Sequence, residues 1–317
     1  MTKLTCAFIA VVVSWYVSSE ARAQHTEHEV HAAHQAHAVH DHRPLALGLD
    51  LVIGFGAVPV GLAEEGEPSA EPEGASTGTV GVNTQSFILS GGYEVAERIG
   101  LGLRLPLTIG SVPTLEAETH GTFAIGNVEL EAETEFELSE GAELVFSLGI
   151  ALPTAMGSEE AEIENGELGS EFDHYMVNRL AAASRGFEDN ALFEVDHVGI
   201  IPKVMLRVRA NHLLVLEPFV KLENLIATNS ELERSYIAEL VFGTFLGCEV
   251  NRHLDLGARV WGSSAFLDEI ESVGVVEPQV RGHFVSVDVT VGGIIPWAGE
   301  LTDPQFGGVR VAAVAHL

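Results

Sequence analysis

The stretch Leu45-Ala46-Leu47-Gly48-Leu49-Asp50-Leu51-Val52-Ile53-Gly54-Phe55-Gly56 decides the fold. Leu45, Leu47, Leu49, Leu51, Ile53 and Phe55 fall on one face of an extended chain. Ala46, Gly48, Asp50, Gly54 and Gly56 fall on the other, with Val52 the exception. A repeat of two is the repeat of a strand, because successive side chains of a pleated backbone point to opposite sides. The same pattern recurs at Leu101, Leu103, Leu105, Leu107 and Ile109 against Gly102, Arg104, Pro106, Thr108 and Gly110, and again at Leu144, Phe146, Leu148, Ile150 and Leu152. One face is large and apolar; the opposite face is small or polar.

Twelve such segments are predicted, near 45–58, 86–96, 99–109, 126–138, 142–153, 197–210, 213–226, 235–250, 253–263, 274–281, 284–296 and 305–317. The connections alternate. Those at 96–98, 139–141, 211–212, 251–253 and 282–283 are tight, and those at 61–85, 111–125, 155–196, 227–234, 264–272 and 297–304 are longer. All short turns therefore fall at one end of the sheet. Segments of about 9–11 residues or more, an even count and one-sided long loops together point to an all-β, transmembrane antiparallel up-and-down β-barrel of about 12 strands. Closure pairs every backbone amide, so strands can sit in lipid without an edge. A secreted β-sandwich also alternates, but its strands run to about 5–6 residues and it would bury the leucine rows. Trp261, Trp297, Tyr93, Tyr175 and Tyr236 are few for aromatic girdles, which must lean on Phe residues such as Phe87, Phe136 and Phe306, and the last strand closes on Leu317.

Composition supports this reading by exclusion. The 317 residues are 46% hydrophobic with 2 Cys, which excludes a disordered chain and a disulfide scaffold. Sixteen Lys and Arg against 46 Asp and Glu leave a formal charge of −30, so a nucleic acid would be repelled. Mean hydropathy is +0.23, high for so acidic a chain, yet beyond residue 23 no apolar run approaches the ~20 residues of a spanning helix. Lys3, the apolar run from Cys6 to Val17 and Ala21-Arg22-Ala23 have the form of a secretory signal and its cleavage site. The expected organisation is a signal peptide over 1–23, a disordered His-rich periplasmic tail over 24–44 and an outer-membrane barrel over 45–317. The expected setting is the outer membrane of a Gram-negative bacterium, with outer-membrane lipid, the barrel-assembly machinery and small solutes as partners. Cys248 is then left alone, so no intramolecular disulfide can form.

Gly149-Ile150-Ala151-Leu152-Pro153-Thr154, following a strand that opens Gly126-Asn127-Val128-Glu129-Leu130, resembles bacterial outer-membrane barrels. It is similar in particular to the transporter-like family associated with the meta pathway of phenol degradation. Val291-Gly292-Gly293-Ile294-Ile295-Pro296 is similar to the penultimate strand of such barrels. The resemblance covers most of the chain beyond the signal and implies architecture; it carries no catalytic residues.

In the fourth predicted strand Val128, Leu130, Ala132, Thr134, Phe136 and Leu138 form the apolar row, which turns Glu129, Glu131, Glu133, Glu135 and Glu137 inward. At ~3.3 Å per residue this carboxylate column spans roughly 26 Å. Arg104 is the one inward cation on the flanking strands, so little local neutralisation is expected. Further round, Lys203, Arg207 and Arg209 face inward, then Glu217, Lys221 and Glu223, with Arg259, Arg281 and Arg310 beyond. Two readings stay open: an open constriction with a transverse field and a cation-favouring path, or a narrow lumen closed by salt bridges in a structural or surface-interaction barrel.

His25, His28, His31, His34, His37 and His40 recur every third residue, followed by His42, in an Ala-rich tract. Such a tail is expected to take Zn, Cu or Ni, since imidazole suits these ions and neighbouring ligands can share one. No cofactor is required. His212, His253 and His283 fall in tight turns and His316 stands before the last residue, so all gather with the tail at the periplasmic rim; ordinary polar turn chemistry also explains them. The loops carrying Glu64 to Glu73 and Glu159 to Asp173 read as solvated and repulsive, and His174 to Ser184 as a short helix folded over the mouth. No nucleophile has a base at usable spacing on the outward rows, so catalysis is not expected.

Overall fold

The computed structural model describes residues 45–61, 77–113, 119–158, 163–164, 167–210, 214–229, 232, 235–265, 272–299 and 306–317. The expected signal peptide, the His-rich tail and His212 lie outside the described residues. The elements are β1 (Leu45–Gly61), β2 (Thr77–Ala96), β3 (Ile99–Pro113), β4 (Thr119–Ile125), β5 (Glu129–Ser139) and β6 (Ala142–Ala151). A small hairpin, β7 (Ile163–Glu164) and β8 (Glu167–Leu168), precedes a helix, α1 (Ser170–Ser184). Then follow β9 (His197–Ala210), β10 (Leu214–Ala227), β11 (Tyr236–Asn251), β12 (Leu254–Ala265), β13 (Val273–His283), β14 (Val287–Ala298) and β15 (Gly307–His316).

Each wall strand pairs antiparallel with its sequence neighbours, and β1 closes the sheet by pairing with both β2 and β15, so that Leu49 faces Leu89 on one side and Ala313 on the other. β4 and β5 lie end to end on the same partner, β3, and count as one interrupted strand. The wall is a closed barrel of twelve strands.

The two faces separate as the repeat of two requires. Leu47, Leu101 and Leu246 are 48%, 51% and 54% exposed, whereas Val52, Ile88 and Phe245 point inward and are 0%, 2% and 1% exposed. A sandwich would bury the leucine rows. Here they form a continuous apolar outer belt, the arrangement that lipid, not water, accommodates.

Two departures from the expected strands have physical causes. β2 begins at Thr77, nine residues before the expected start, because Gly61 to Phe55 of β1 pair with Thr77 to Asn83. Its Thr and Val residues favour a strand, but Gly78, Gly81 and Asn83 interrupt the alternation, and cross-strand pairing carries the ladder through them. The strand expected to open at Gly126 is instead broken there. Residues 126–128 carry no strand pairing, and β5 starts only at Glu129.

The helix expected to cover the mouth goes inside. Ser170 to Ser184 form it, and Val177, Leu180, Ala181, Ala182, Ala183 and Ser184 are buried against the inner faces of β1, β2 and β3. Glu171 and Asp173 in its first turn complement the positive end of the helix dipole. The small inward residues of the wall explain why it fits. A Cβ at Gly54 would stand 1.9 Å from Ser184 Oγ, and one at Gly110 would stand 2.4 Å from a Val177 methyl. The glycines make the groove that the helix occupies.

Candidate functional site

Beyond α1 the chain turns at Gly186, where φ is +66°, and runs through the lumen to a 3-10 turn over Asn190–Leu192 before rejoining the wall at β9. This inserted segment is held by ion pairs with the wall. Arg185, fully buried, donates to Asp50 of β1 at 2.8 Å and to Ser86 Oγ of β2 at 2.9 Å. Glu188 meets Arg259 of β12 at 2.6 Å and Arg310 of β15 at 3.3 Å. Asp189 meets Arg104 of β3 at 2.9 Å, Arg185 at 3.5 Å and Lys221 of β10 at 3.9 Å. Lys221 also donates to the Glu188 carbonyl. Arg310 is satisfied further by Glu277 at 3.1 Å and Asp50 at 3.3 Å. Six strands around the barrel thus grip two consecutive plug acids and one arginine.

The chemistry explains why burial is tolerated. Burial pushes the Glu188 carboxyl up, but Arg259 and Arg310 outweigh it and hold the group at about 2. Asp189 behaves likewise: burial raises it, and Arg104 with Lys221 and Arg185 brings it well below the ordinary carboxylate range. Both acids stay ionised because each is surrounded by cations. Apolar contacts also hold the segment: Ala183 and Phe187 pack with Val52, Phe219, Trp261 and Val275, and the Trp261 indole donates to the Gly186 carbonyl at 3.2 Å.

Asn127, fully buried at the wall break, ties three pieces of chain together. Its side-chain amide donates to the carbonyls of Ala191 at 2.9 Å and Glu194 at 2.6 Å, its backbone N–H to Leu192 at 2.6 Å, and its side-chain oxygen accepts from the amides of Thr154 and Ala155 at 2.9 and 2.8 Å. The ladder stops at 126–128 because the side chain of Asn127 replaces it.

The expected lumen residues sort into three groups. Glu129, Arg104, Lys221 and Glu223 belong to the plug network: Arg104 binds Glu129 at 2.8 Å, Lys221 binds Glu223 at 2.7 Å, and Glu223 accepts from the Ala191 amide at 2.8 Å. Glu131, Glu133, Glu135 and Lys203 face the space on the turn side of the plug and are half-buried. Arg207, Glu217, Arg209 and Glu137 lie nearer the turns, with Arg209 and Glu137 exposed. The expectation that Arg104 alone would meet the column needs correction. Arg207, two strands away on β9, reaches Glu135 at 3.0 Å, and Arg98 in the turn reaches Glu137 at 3.7 Å. Long arginine side chains cross a strand that nearest-neighbour counting treats as a barrier. Arg281 pairs with Glu217 at 2.7 Å.

At the turn end His253, His283 and His316 join in one network. His283 lies 3.1 Å from Asp255 and 3.0 Å from Asp288, His316 lies 2.9 Å from Asp288, and His253 Nδ1 stands 2.9 Å from the His283 carbonyl. The network staples β12, the β13–β14 turn and β15. Among the described residues no group of His, Cys, Asp and Glu has the arrangement to hold a metal ion.

Among solved structures the chain is similar to an outer-membrane channel from Pseudomonas putida F1, with a TM-score of 0.56 over 86% of this chain and 95% of that one, at 10% identity. The likeness is one of fold. The translocator domain of the autotransporter NalP from Neisseria meningitidis, at 10% identity, covers 90% of this chain and 96% of that one with a TM-score of 0.42. No protein-family model and no curated protein matches the sequence.

Sequence reasoning missed Arg185, Glu188, Asp189 and Asn127, the residues that make the plug. The signal was present in the inward rows: Gly54, Gly110 and Ser86 are too small to fill a lumen, which implies that something else does.

Proposed function

We propose that the chain is an outer-membrane channel for small solutes, cation-favouring on the turn side of its plug, with the inserted segment closing the lumen. The observation that carries the reading is the row of Glu131, Glu133 and Glu135 on the lumen face, half-buried, of which Glu135 is paired with Arg207. Such a row concentrates cations in a confined aqueous space. The short-turn end, where both Leu45 and Leu317 lie, is assigned to the periplasm, and the same compartment is proposed for the tail bearing His25 to His42. That tail is assigned a transition-metal concentrating role, tested by calorimetry with Zn²⁺, Cu²⁺ and Ni²⁺ on chains with and without residues 24–44.

A second reading, a non-conducting structural or surface-interaction barrel, is favoured by the complete pairing of Arg185, Glu188 and Asp189. Planar-bilayer recording separates the two. Current steps from the refolded chain, or steps that appear only when Arg185→Ala loosens the plug, support a channel. Silence from both leaves the structural barrel. A reversal potential under a KCl gradient that indicates cation preference, reduced in the Glu131→Gln/Glu133→Gln/Glu135→Gln variant, supports the column's role.

A further inference from the structure

Beneath the plug lies a cavity of about 200 Å³, walled by β3, β5, β6, β9, β10 and β12 and roofed by Glu188 to Leu192. Nearly every charge around it is matched. Arg104 holds Glu129 and Asp189, Lys221 holds Glu223, and Arg259 holds Glu188. Two groups, one of each sign, make no ion pair of 4.0 Å or less among the described residues: Lys203 and Glu131 both line the cavity, close enough for the charge of Glu131 to act on Lys203 but not in contact with it.

Their placement follows from the register. Glu133 of β5, Ser147 of β6 and Lys203 of β9 lie in one row across the wall, and Glu131 is two residues further along β5. Two strand spacings and two residues put the Cα atoms of Lys203 and Glu131 about 12 Å apart. The strand between them presents only Ser147 and Gly149 to the cavity side. A Cβ at Gly149 would stand 2.2 Å from Glu129 Oε1, so the glycine makes room for the Glu129 carboxylate, which Arg104 neutralises. Phe219, Ile201 and Leu192 supply an apolar flank.

We propose that this cavity binds a small zwitterion of amino-acid size, its carboxylate at the Lys203 ammonium and its ammonium at the Glu131 carboxylate. A partly desolvated pair of opposite charges held apart is complementary to a solute that carries the same pair reversed, and a solute with one charge leaves the other wall group unmatched. The cavity volume limits the solute to a few heavy atoms beyond those two groups. The assignment deepens the channel reading by naming a solute class.

The test is equilibrium dialysis of the refolded chain in detergent with labelled β-alanine, with acetate and methylammonium as half-molecule competitors. Binding is expected, with each half-molecule at least tenfold weaker. Lys203→Met and Glu131→Gln are each expected to lose tenfold or more, Lys203→Arg and Glu131→Asp to stay within a few fold, and Lys203→Glu/Glu131→Lys to recover binding. Folding is followed by the heat-induced gel shift of closed barrels. Acetate binding as tightly as β-alanine, no binding at all, or indifference to Lys203→Met and Glu131→Gln overturns the site. Conductance without β-alanine binding discards the site and leaves the channel; β-alanine binding without conductance discards the channel and leaves the site.

Discussion

The guanidinium of Arg185 in the lumen and the carboxylate of Asp50 on β1 meet at 2.8 Å, across 135 residues of sequence and with the arginine wholly shielded from solvent. Plug and wall are one electrostatic unit through this pair, because the buried guanidinium of Arg185 has its carboxylate partner on the wall only when the inserted segment is in place.

Replacing Arg185 by Ala leaves Asp50 with Arg310 alone and strips Ser86 of its donor. Removing one partner of a buried pair costs about 3–5 kcal/mol. The expected outcome is a plug that leaves the lumen, read as a red shift of Trp261 emission, since its indole bonds the next residue, Gly186. The barrel itself should persist, because its ladder does not involve Arg185. A spectrum unchanged from the parent would sink the idea that this pair anchors the plug.

Acid should release the same segment late. Glu188 is held at about 2 against an ordinary value of 4.5, by Arg259 and Arg310 working against burial. A folded-state value below the unfolded one gives stability that is complete above about 4.5 and is lost as pH falls toward 2. Trp261 emission should therefore stay flat from neutral pH to about 4.5 and change below it. A transition centred at pH 6 to 7 would instead implicate the histidines.

Asn127→Asp keeps an acceptor for the amides of Thr154 and Ala155 but turns a donor into an acceptor facing the carbonyls of Ala191 and Glu194. Two buried carbonyls lose their partner and meet a negative charge, a loss of about 2–4 kcal/mol or more. Thermal unfolding of the plug, followed by protease cleavage within 185–196, should move to lower temperature, and Asn127→Ala should cost less than Asn127→Asp. The reverse order would argue against the assigned side-chain orientation.

Leu49 lies mid-strand on the outer face, 43% exposed and opposite Leu89. Leu49→Arg should destabilise the lipid-embedded barrel by about 2–4 kcal/mol, as a charge on the lipid face near the midplane does. Refolding titrations in bilayers against urea measure this. A neutral effect would place the leucine rows in water.

Much of this molecule was legible in one dimension. The period of two at Leu45 to Phe55 is a local property of the chain, and a closed wall repeats it twelve times, so strand number, facing and the side bearing short turns follow without knowledge of any contact. The inward direction of Glu131, Lys203 and Arg310 follows from the same parity. What occupies the interior does not. Arg185, Glu188 and Asp189 sit in a segment with no strand period, and their partners Asp50, Arg104, Lys221, Arg259 and Arg310 come from five different strands. The break at Asn127 is equally hidden, because its five hydrogen bonds are made to residues 25 or more positions away. Parity assigns a side chain to a face from its own neighbours; pairing across a lumen depends on where distant strands stand around the barrel, and only the closed tertiary structure decides that.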